Sequence, residues 1–136
     1  MQFVQDNIWM VMTAVISGVM LLWSYFGNRL RRVKEVNNAA ALQLINRKDA
    51  LVLDVREQNE FDAGHILNAK LIPLLKLKES VGELERHRDR PIVVVCRSGQ
   101  RSATACALLG TRGFSQAYNL SGGMQAWQKA DLPVEK

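Results

Sequence analysis

The segment Cys96-Arg97-Ser98-Gly99-Gln100-Arg101-Ser102 follows directly on the apolar run Ile92-Val93-Val94-Val95. A β-branched run, then a thiol, a glycine and two arginines, reads as strand, tight loop and helix start. The helix is expected over Ser102 to Arg112, closed by Gly113. A cysteine so placed lies at the carboxyl end of a buried strand, where open α/β sheets keep their ligand crevices. Main-chain N–H groups from Arg97 through Ser98, Gly99 and Gln100 to Arg101 can converge into an anion-binding nest backed by the helix N-terminus. Arg97 and Arg101 add full positive charge. Each feature favours thiolate over thiol, the condition for a reactive cysteine near neutral pH. Cys96 is the expected nucleophile. Cys106 lies among Ala103, Ala105, Ala107 and Leu108, with no charge beside it, and is expected to be core packing.

Three further residues are expected to support the loop. Asp54 and Arg56 end another apolar run on the crevice side and read as a structural ion pair, and Ser102 follows Arg101 at the helix start. Of the two arginines, Arg101 is expected to fold back and brace the loop, leaving Arg97 to meet an anionic substrate. A thiolate already formed needs no adjacent base, so neither His65 nor His87 is assigned a catalytic part. Met124 and Trp127 fall at helical spacing on an apolar face and read as core, and Gly122-Gly123 as a turn. The chemistry calls for no metal and no cofactor.

Such a loop needs a rigid sheet beneath it, and the chain supplies the alternation that builds one. Short apolar runs are expected as strands at Val33–Val36, Leu51–Leu53, Ala69–Ile72 (stopped by Pro73), Ile92–Val95 and Gln116–Leu120. Between them fall helical patterns: Ala39–Asn46 capped by Asn37 or Asn38, Glu57–Ala63 closed by Gly64, a region broken around Gly82 over Leu74–Arg88, and Met124–Lys129. Continuous apolar strands alternating with helices predict an α/β domain, a mostly parallel five-stranded sheet with helices on both faces.

The N-terminal third differs in kind. Ile8 to Phe26 carries no charge, and its 19 residues would span about 28 Å as a helix, near the hydrocarbon thickness of a bilayer. Trp9 at one end, and Trp23 with Tyr25 at the other, suit interfacial aromatic belts. A signal peptide fits poorly, because Asp6 precedes the apolar core and bulky residues follow it. A buried core helix would have little domain to surround it. The chain is therefore divided into residues 1–35, a transmembrane anchor with a basic linker, and a domain over 36–136. Arg29, Arg31, Arg32 and Lys34 follow the span, so the positive-inside rule predicts an inner (cell) membrane protein with its N-terminus outside and the domain cytoplasmic. Two cysteines make no disulfide framework, in keeping with that reducing compartment. Ser17-Gly18 offers a small surface for a membrane-protein partner. The net charge of +5 is concentrated beside the span without a basic–aromatic stripe elsewhere, so nucleic acid is excluded as a partner.

Four blocks, in order over residues 36 to 136, resemble a single-domain rhodanese, the thiosulfate sulfurtransferase family. They are Leu53-Asp54-Val55-Arg56-Glu57 with Glu60-Phe61; Gly64-His65-Ile66-Leu67-Asn68-Ala69 with Ile72-Pro73; Cys96 to Ser102; and Leu120-Ser121-Gly122-Gly123-Met124 with Trp127. Asn68 stands where the family usually has glycine and Leu71 where asparagine is frequent, departures that bear on a local turn. The resemblance implies a rhodanese-like fold and a cysteine that takes sulfane sulfur from an anionic donor, thiosulfate or a persulfide. It would hold the sulfur as a persulfide and pass it to a thiol or protein acceptor. In Cys-x5-Arg phosphatases and arsenate reductases the arginine falls one position later; here Ser102 stands in that place, and the shorter ring suits one sulfur atom. A second class of function is a membrane-tethered binding module that uses the same fold without catalysis.

Overall fold

The structure is a computed structural model that describes residues 1–30 and 33–136. Arg31 and Arg32, two cations of the expected linker, lie outside the described residues. The chain divides into two units, Met1–Arg32 and Val33–Lys136.

The first unit is a short helix α1 (Gln2–Asp6) and a long one, α2 (Ile8–Leu30). The window Ile8–Phe26 has a mean hydropathy of 1.7, and none of it is buried. Trp9 and Trp23, near its two ends, are each 79% exposed. The Thr13 hydroxyl donates to the Trp9 carbonyl oxygen at 2.8 Å, which satisfies this polar side chain within its own helix. By length and composition α2 is able to cross a membrane.

The second unit is built on five parallel strands: β1 (Lys34–Val36), β2 (Leu51–Asp54), β4 (Lys70–Leu71), β5 (Ile92–Val95) and β6 (Ala117–Leu120). Their order is β1-β6-β5-β2-β4. Central β5 explains the layering. Its four residues are all buried, and successive side chains point to opposite faces. Ile92 and Val94 join Leu53, Leu77, Ala105, Cys106, Leu109 and Phe114 in one core layer, under α5 (Leu74–Ser80) and α6 (Gln100–Thr111). Val93 and Val95 join Ala41, Val52, Met124 and Trp127 in the other, under α3 (Asn38–Lys48) and α7 (Gly123–Lys129). Fully burying one such aliphatic side chain is worth about 1.5–3 kcal/mol, so both layers hold the sheet. Helices cover both faces as expected.

Several local expectations shift. Helix α6 begins at Gln100, two residues before the expected start, because Gly99 at φ 107° turns the chain first. The broken region resolves into α5 and a 3-10 segment, Val81–His87. Asn37 is the cap of α3, its side chain accepting from the Ala40 N–H at 2.8 Å. Unforeseen is a small antiparallel pair, β3 (His65–Ile66) with β7 (Val134–Glu135). Between β3 and β4, Asn68 takes φ 62°, the conformation that glycine would hold most easily and that asparagine tolerates best among other residues. Its N–H is bonded to the Glu135 carboxylate at 3.0 Å. The substitution at the family's usual glycine therefore keeps the turn.

Candidate active site

All five strands run the same way, so their carboxyl ends share one edge, and Cys96 follows β5 at its centre. The Cys96 Sγ accepts a hydrogen bond from the Gly99 N–H at 3.0 Å and lies 3.2 Å from the Ser102 Oγ. Burial pushes the thiol up. The Ser102 hydroxyl and the N–H groups of Ser102, Gly99 and Ser98 more than offset it, and the thiol ionises below its ordinary value. Cys106, on α6 one turn beyond Ser102, has burial without such donors. Burial, with the charges of Cys96 and Glu35, pushes it up to about 12. The two thiols thus differ through local donors, not through depth alone.

The loop is held from behind by α7. The Met124 and Gln125 N–H groups, in its first turn, donate to the carbonyl oxygens of Cys96 and Arg97 at 2.8 and 3.0 Å. These bonds aim both loop carbonyls at the start of α7. Gly123, at φ 55°, makes the approach feasible: a Cβ there would run into the Cys96 and Arg97 carbonyl oxygens. The pair Gly122-Gly123 does form a turn, but Gly123 also serves close contact with the Cys96 loop, a role its sequence position alone does not disclose.

The two arginines differ in their contacts. Arg101 donates through both terminal nitrogens to the Glu60 carboxylate, at 2.8 and 2.9 Å. Glu60 in turn accepts from the Glu57 N–H at the start of α4 (Gln58–Asp62). The Arg101 hydrogen bonds outweigh partial burial and hold the Glu60 carboxyl at about 2. Arg97 is exposed, and among the described residues its guanidinium makes no ion pair. It lines a crevice of about 470 Å³ together with Arg56, Glu60, Gly64, Met124, Gln125 and Gln128. Asp54 and Arg56 pair at 2.8 Å, both buried, and Arg56 also donates to the Gly64 carbonyl at 2.8 Å. Arg56 therefore fixes the floor of the crevice. Ser98 and Gln100 are exposed; Ser98 acts on the sulfur through its N–H, and Gln100 opens α6.

The histidines are occupied elsewhere. His65 stacks on Phe61 with ring centres 3.6 Å apart, and its Nδ1 lies 2.8 Å from the Phe61 carbonyl oxygen. His87 precedes β5, at the edge of the sheet opposite Cys96, between Arg86 and Arg90. Among the described residues no group of three or more His, Cys, Asp or Glu side chains forms a metal-binding set.

Two residues of the site escaped sequence reasoning in their roles. Glu60 is visible in the first block, but its partner lies 41 positions away. Asn119, buried in β6, accepts from the Ser102 hydroxyl through Oδ1 and donates through Nδ2 to the Gly99 carbonyl at 3.0 Å. A polar side chain on the inward-facing alternation of an otherwise apolar strand is the signal that would have found it.

A parallel α/β sheet with a cysteine of favoured ionisation, set in a tight loop at the sheet's carboxyl edge, defines the class of fold and site. Residues 37–130 match the family described as the rhodanese-like domain, and the chain belongs to it. It is 33% identical over 135 residues to the uncharacterised protein YibN of Escherichia coli (strain K12), covering 98% of this chain and 94% of that one. That match extends through the N-terminal apolar segment. A thiosulfate sulfurtransferase, GlpE of Pseudoalteromonas translucida, is 31% identical over 97 residues, 71% of this chain and 90% of that one. Among solved structures, a rhodanese-related protein of Thermoplasma volcanium superposes with a TM-score of 0.63 at 33% identity, covering 75% of this chain and 97% of that one. A rhodanese-like domain protein of Staphylococcus aureus gives 0.65 at 30% identity, covering 76% and 100%.

Proposed function

We propose that the chain is a membrane-anchored sulfurtransferase that carries sulfane sulfur on Cys96. The observation that carries this reading is the set of donors around one sulfur: the Gly99 N–H at 3.0 Å and the Ser102 hydroxyl at 3.2 Å, in a loop whose Arg97 is left unpaired among the described residues. The Cys96 thiolate attacks the outer sulfur of an anionic donor such as thiosulfate. The new S–S bond forms as the donor's own S–S bond breaks, and its electron pair leaves on sulfite. The persulfide's charged outer sulfur takes its place among the main-chain donors, which stabilise charge as it moves. An acceptor thiolate then attacks that outer sulfur and regenerates the Cys96 thiolate. Arg97 meets the anionic donor at the crevice, Arg101 braces the loop through Glu60, and Asp54, Arg56 and Ser102 hold its frame.

Cys96 is only 1% exposed, which favours a donor that presents a slender sulfur tip. The ring is one residue shorter than a phosphate cradle, which weighs against phosphatase or arsenate reductase chemistry. α2 spans the bilayer, with the domain on the side of the basic linker, the cytoplasmic face of the inner membrane. A protein acceptor near that surface would gain from the raised local concentration.

The test is direct. Purified full-length protein incubated with thiosulfate should gain the mass of one sulfur at Cys96, and added cyanide should release thiocyanate. Both should vanish in Cys96→Ser. No mass gain and no thiocyanate from the folded wild-type protein would refute the transfer reading and leave the tethered binding module. Resistance of the chain to alkaline extraction from membranes tests the anchor separately; release into the soluble fraction would sink it.

A further inference from the structure

Ser102 Oγ stands between two groups that compete for its single proton. On one side is the Cys96 Sγ at 3.2 Å, and on the other the Asn119 Oδ1. All three groups are buried: Ser102 is 0%, Cys96 1% and Asn119 2% exposed. At such burial an unmade hydrogen bond among the three is costly. The orientation of the Asn119 amide is fixed by its other end, because Nδ2 donates to the Gly99 carbonyl at 3.0 Å and lies 3.5 Å from the Glu35 carboxylate. Turning the amide over would set its oxygen against both of those acceptors. Oδ1 therefore faces Ser102 in every state of the sulfur.

A hydroxyl carries one proton, so the arrangement has two settings. With Cys96 as thiol, S–H donates to the Ser102 oxygen and the Ser102 hydroxyl donates to Asn119. With Cys96 as thiolate, the hydroxyl must turn to the sulfur, and Asn119 Oδ1 loses its donor. We propose that Asn119 is a positioning residue that sets the ionisation of Cys96 by competing for the Ser102 hydroxyl proton. The hydroxyl then follows the charge. It serves Sγ only while Sγ is ionised, and it returns to Asn119 once the charge has moved to the outer sulfur of a persulfide. Asn119 thereby keeps the loaded state free of an unsatisfied buried hydroxyl. That last step rests on the sulfur-carrying reading given above; the competition for the proton does not. The placement fits such a role. Asn119 faces an apolar layer at the position paired in register with Glu35 and Val94, where a branched aliphatic side chain would otherwise pack.

The other titratable or charged groups around this chain of three are Glu35 on β1, Cys106 and Arg101 on α6, and Glu60 on α4. None lies between Ser102 and either of its two partners.

The experiment follows the rate of iodoacetamide reaction at the Cys96 peptide against pH, by mass spectrometry, on the full-length protein in detergent. Asn119→Leu removes the competitor at nearly constant volume. Its alkylation midpoint should fall, with about fivefold more thiolate at any pH below the midpoint. In a Ser102→Ala background the same substitution should shift nothing. An equal shift in both backgrounds would mean that Asn119 acts through Gly99 and not through Ser102, and would overturn the proposal, as would no shift in either. Should Asn119→Leu fail to fold, Asn119→Asp replaces it. The carboxylate keeps and strengthens the competing acceptor, so the midpoint should rise, and by more with Ser102 present than without it. Equal rises would again overturn the proposal. Because the readout is thiol ionisation, its failure is distinct from a failure to transfer sulfur.

Discussion

The carboxylate of Glu60 grips both terminal nitrogens of Arg101, at 2.8 and 2.9 Å, and so ties α4 to the first turn of α6 across 41 residues of sequence. Its two-point geometry makes it firmer than a single surface contact, although the pair is partly exposed. Glu60 is held at about 2 in the fold against roughly 4.3 when unfolded. A depressed carboxyl stabilises above its unfolded value and ceases to do so as pH falls through its folded value. Glu60→Gln should therefore lower Tm by about 2–5 °C at neutral pH. The gap from wild type should close between about pH 5 and pH 2. A gap that stays constant down to pH 2 would show that the carboxylate charge is not what Arg101 holds.

Arg97 has no such tether among the described residues, and this sets a contrast in kinetics. Arg97→Ala should raise the KM for thiosulfate about tenfold while leaving the alkylation of Cys96 by neutral iodoacetamide within twofold. Arg101→Ala should loosen the loop and lower kcat as well. Steady-state thiocyanate production checks both. Identical kinetic profiles for the two variants would contradict the division of labour.

Cys96 and Cys106 share one core layer yet should react very differently. At pH 7.5 limited iodoacetamide should label Cys96 and spare Cys106, whose thiol is pushed up to about 12. The pH–rate profile of Cys96 should inflect below that of an ordinary thiol, since its folded-state ionisation is favoured. Ser102→Ala, which removes one donor, should move that inflection upward. Peptide mapping of the labelled, folded protein reads all of these at once.

The two adjacent glycines offer a sharper structural test. A Cβ at Gly122 would meet only the Ala126 side chain, at 2.7 Å, whereas one at Gly123 would press on the Arg97 carbonyl oxygen at 2.7 Å and on that of Cys96. Both positions have positive φ, 75° and 55°. Each substitution by alanine should cost stability, about 2–3 kcal/mol. Only Gly123→Ala should also reduce sulfur loading of the remaining folded protein by more than tenfold. Comparing loaded fraction with folded fraction separates the two effects.

What the sequence disclosed and what it hid follow from the range of the interactions concerned. Ile92–Val95 declares itself as a central strand because four branched residues leave little alternative, and Cys96 inherits its place from that strand. Arg101 pairs with Glu60, a partner that depends on how α4 lands against α6, which no local pattern encodes. Helix α6 starts early because Gly99 takes a left-handed conformation, a choice that glycine allows but does not announce. The strand Val134–Glu135 is two exposed residues long and owes its existence to pairing with His65–Ile66. Asn119 sits inside a strand whose sequence, Ala117-Tyr118-Asn119-Leu120, gives only a polar interruption to read. Local rules reached the elements; contacts between distant elements completed the site.

A thiol that is 1% exposed is shielded as well as activated. Bulky disulfides and large oxidants cannot bring their reactive atom to its sulfur without displacing the loop, and α7 holds the loop carbonyls in place. The same confinement should therefore lengthen the life of the reduced thiol, because walls that admit a small reagent keep a large one from the sulfur.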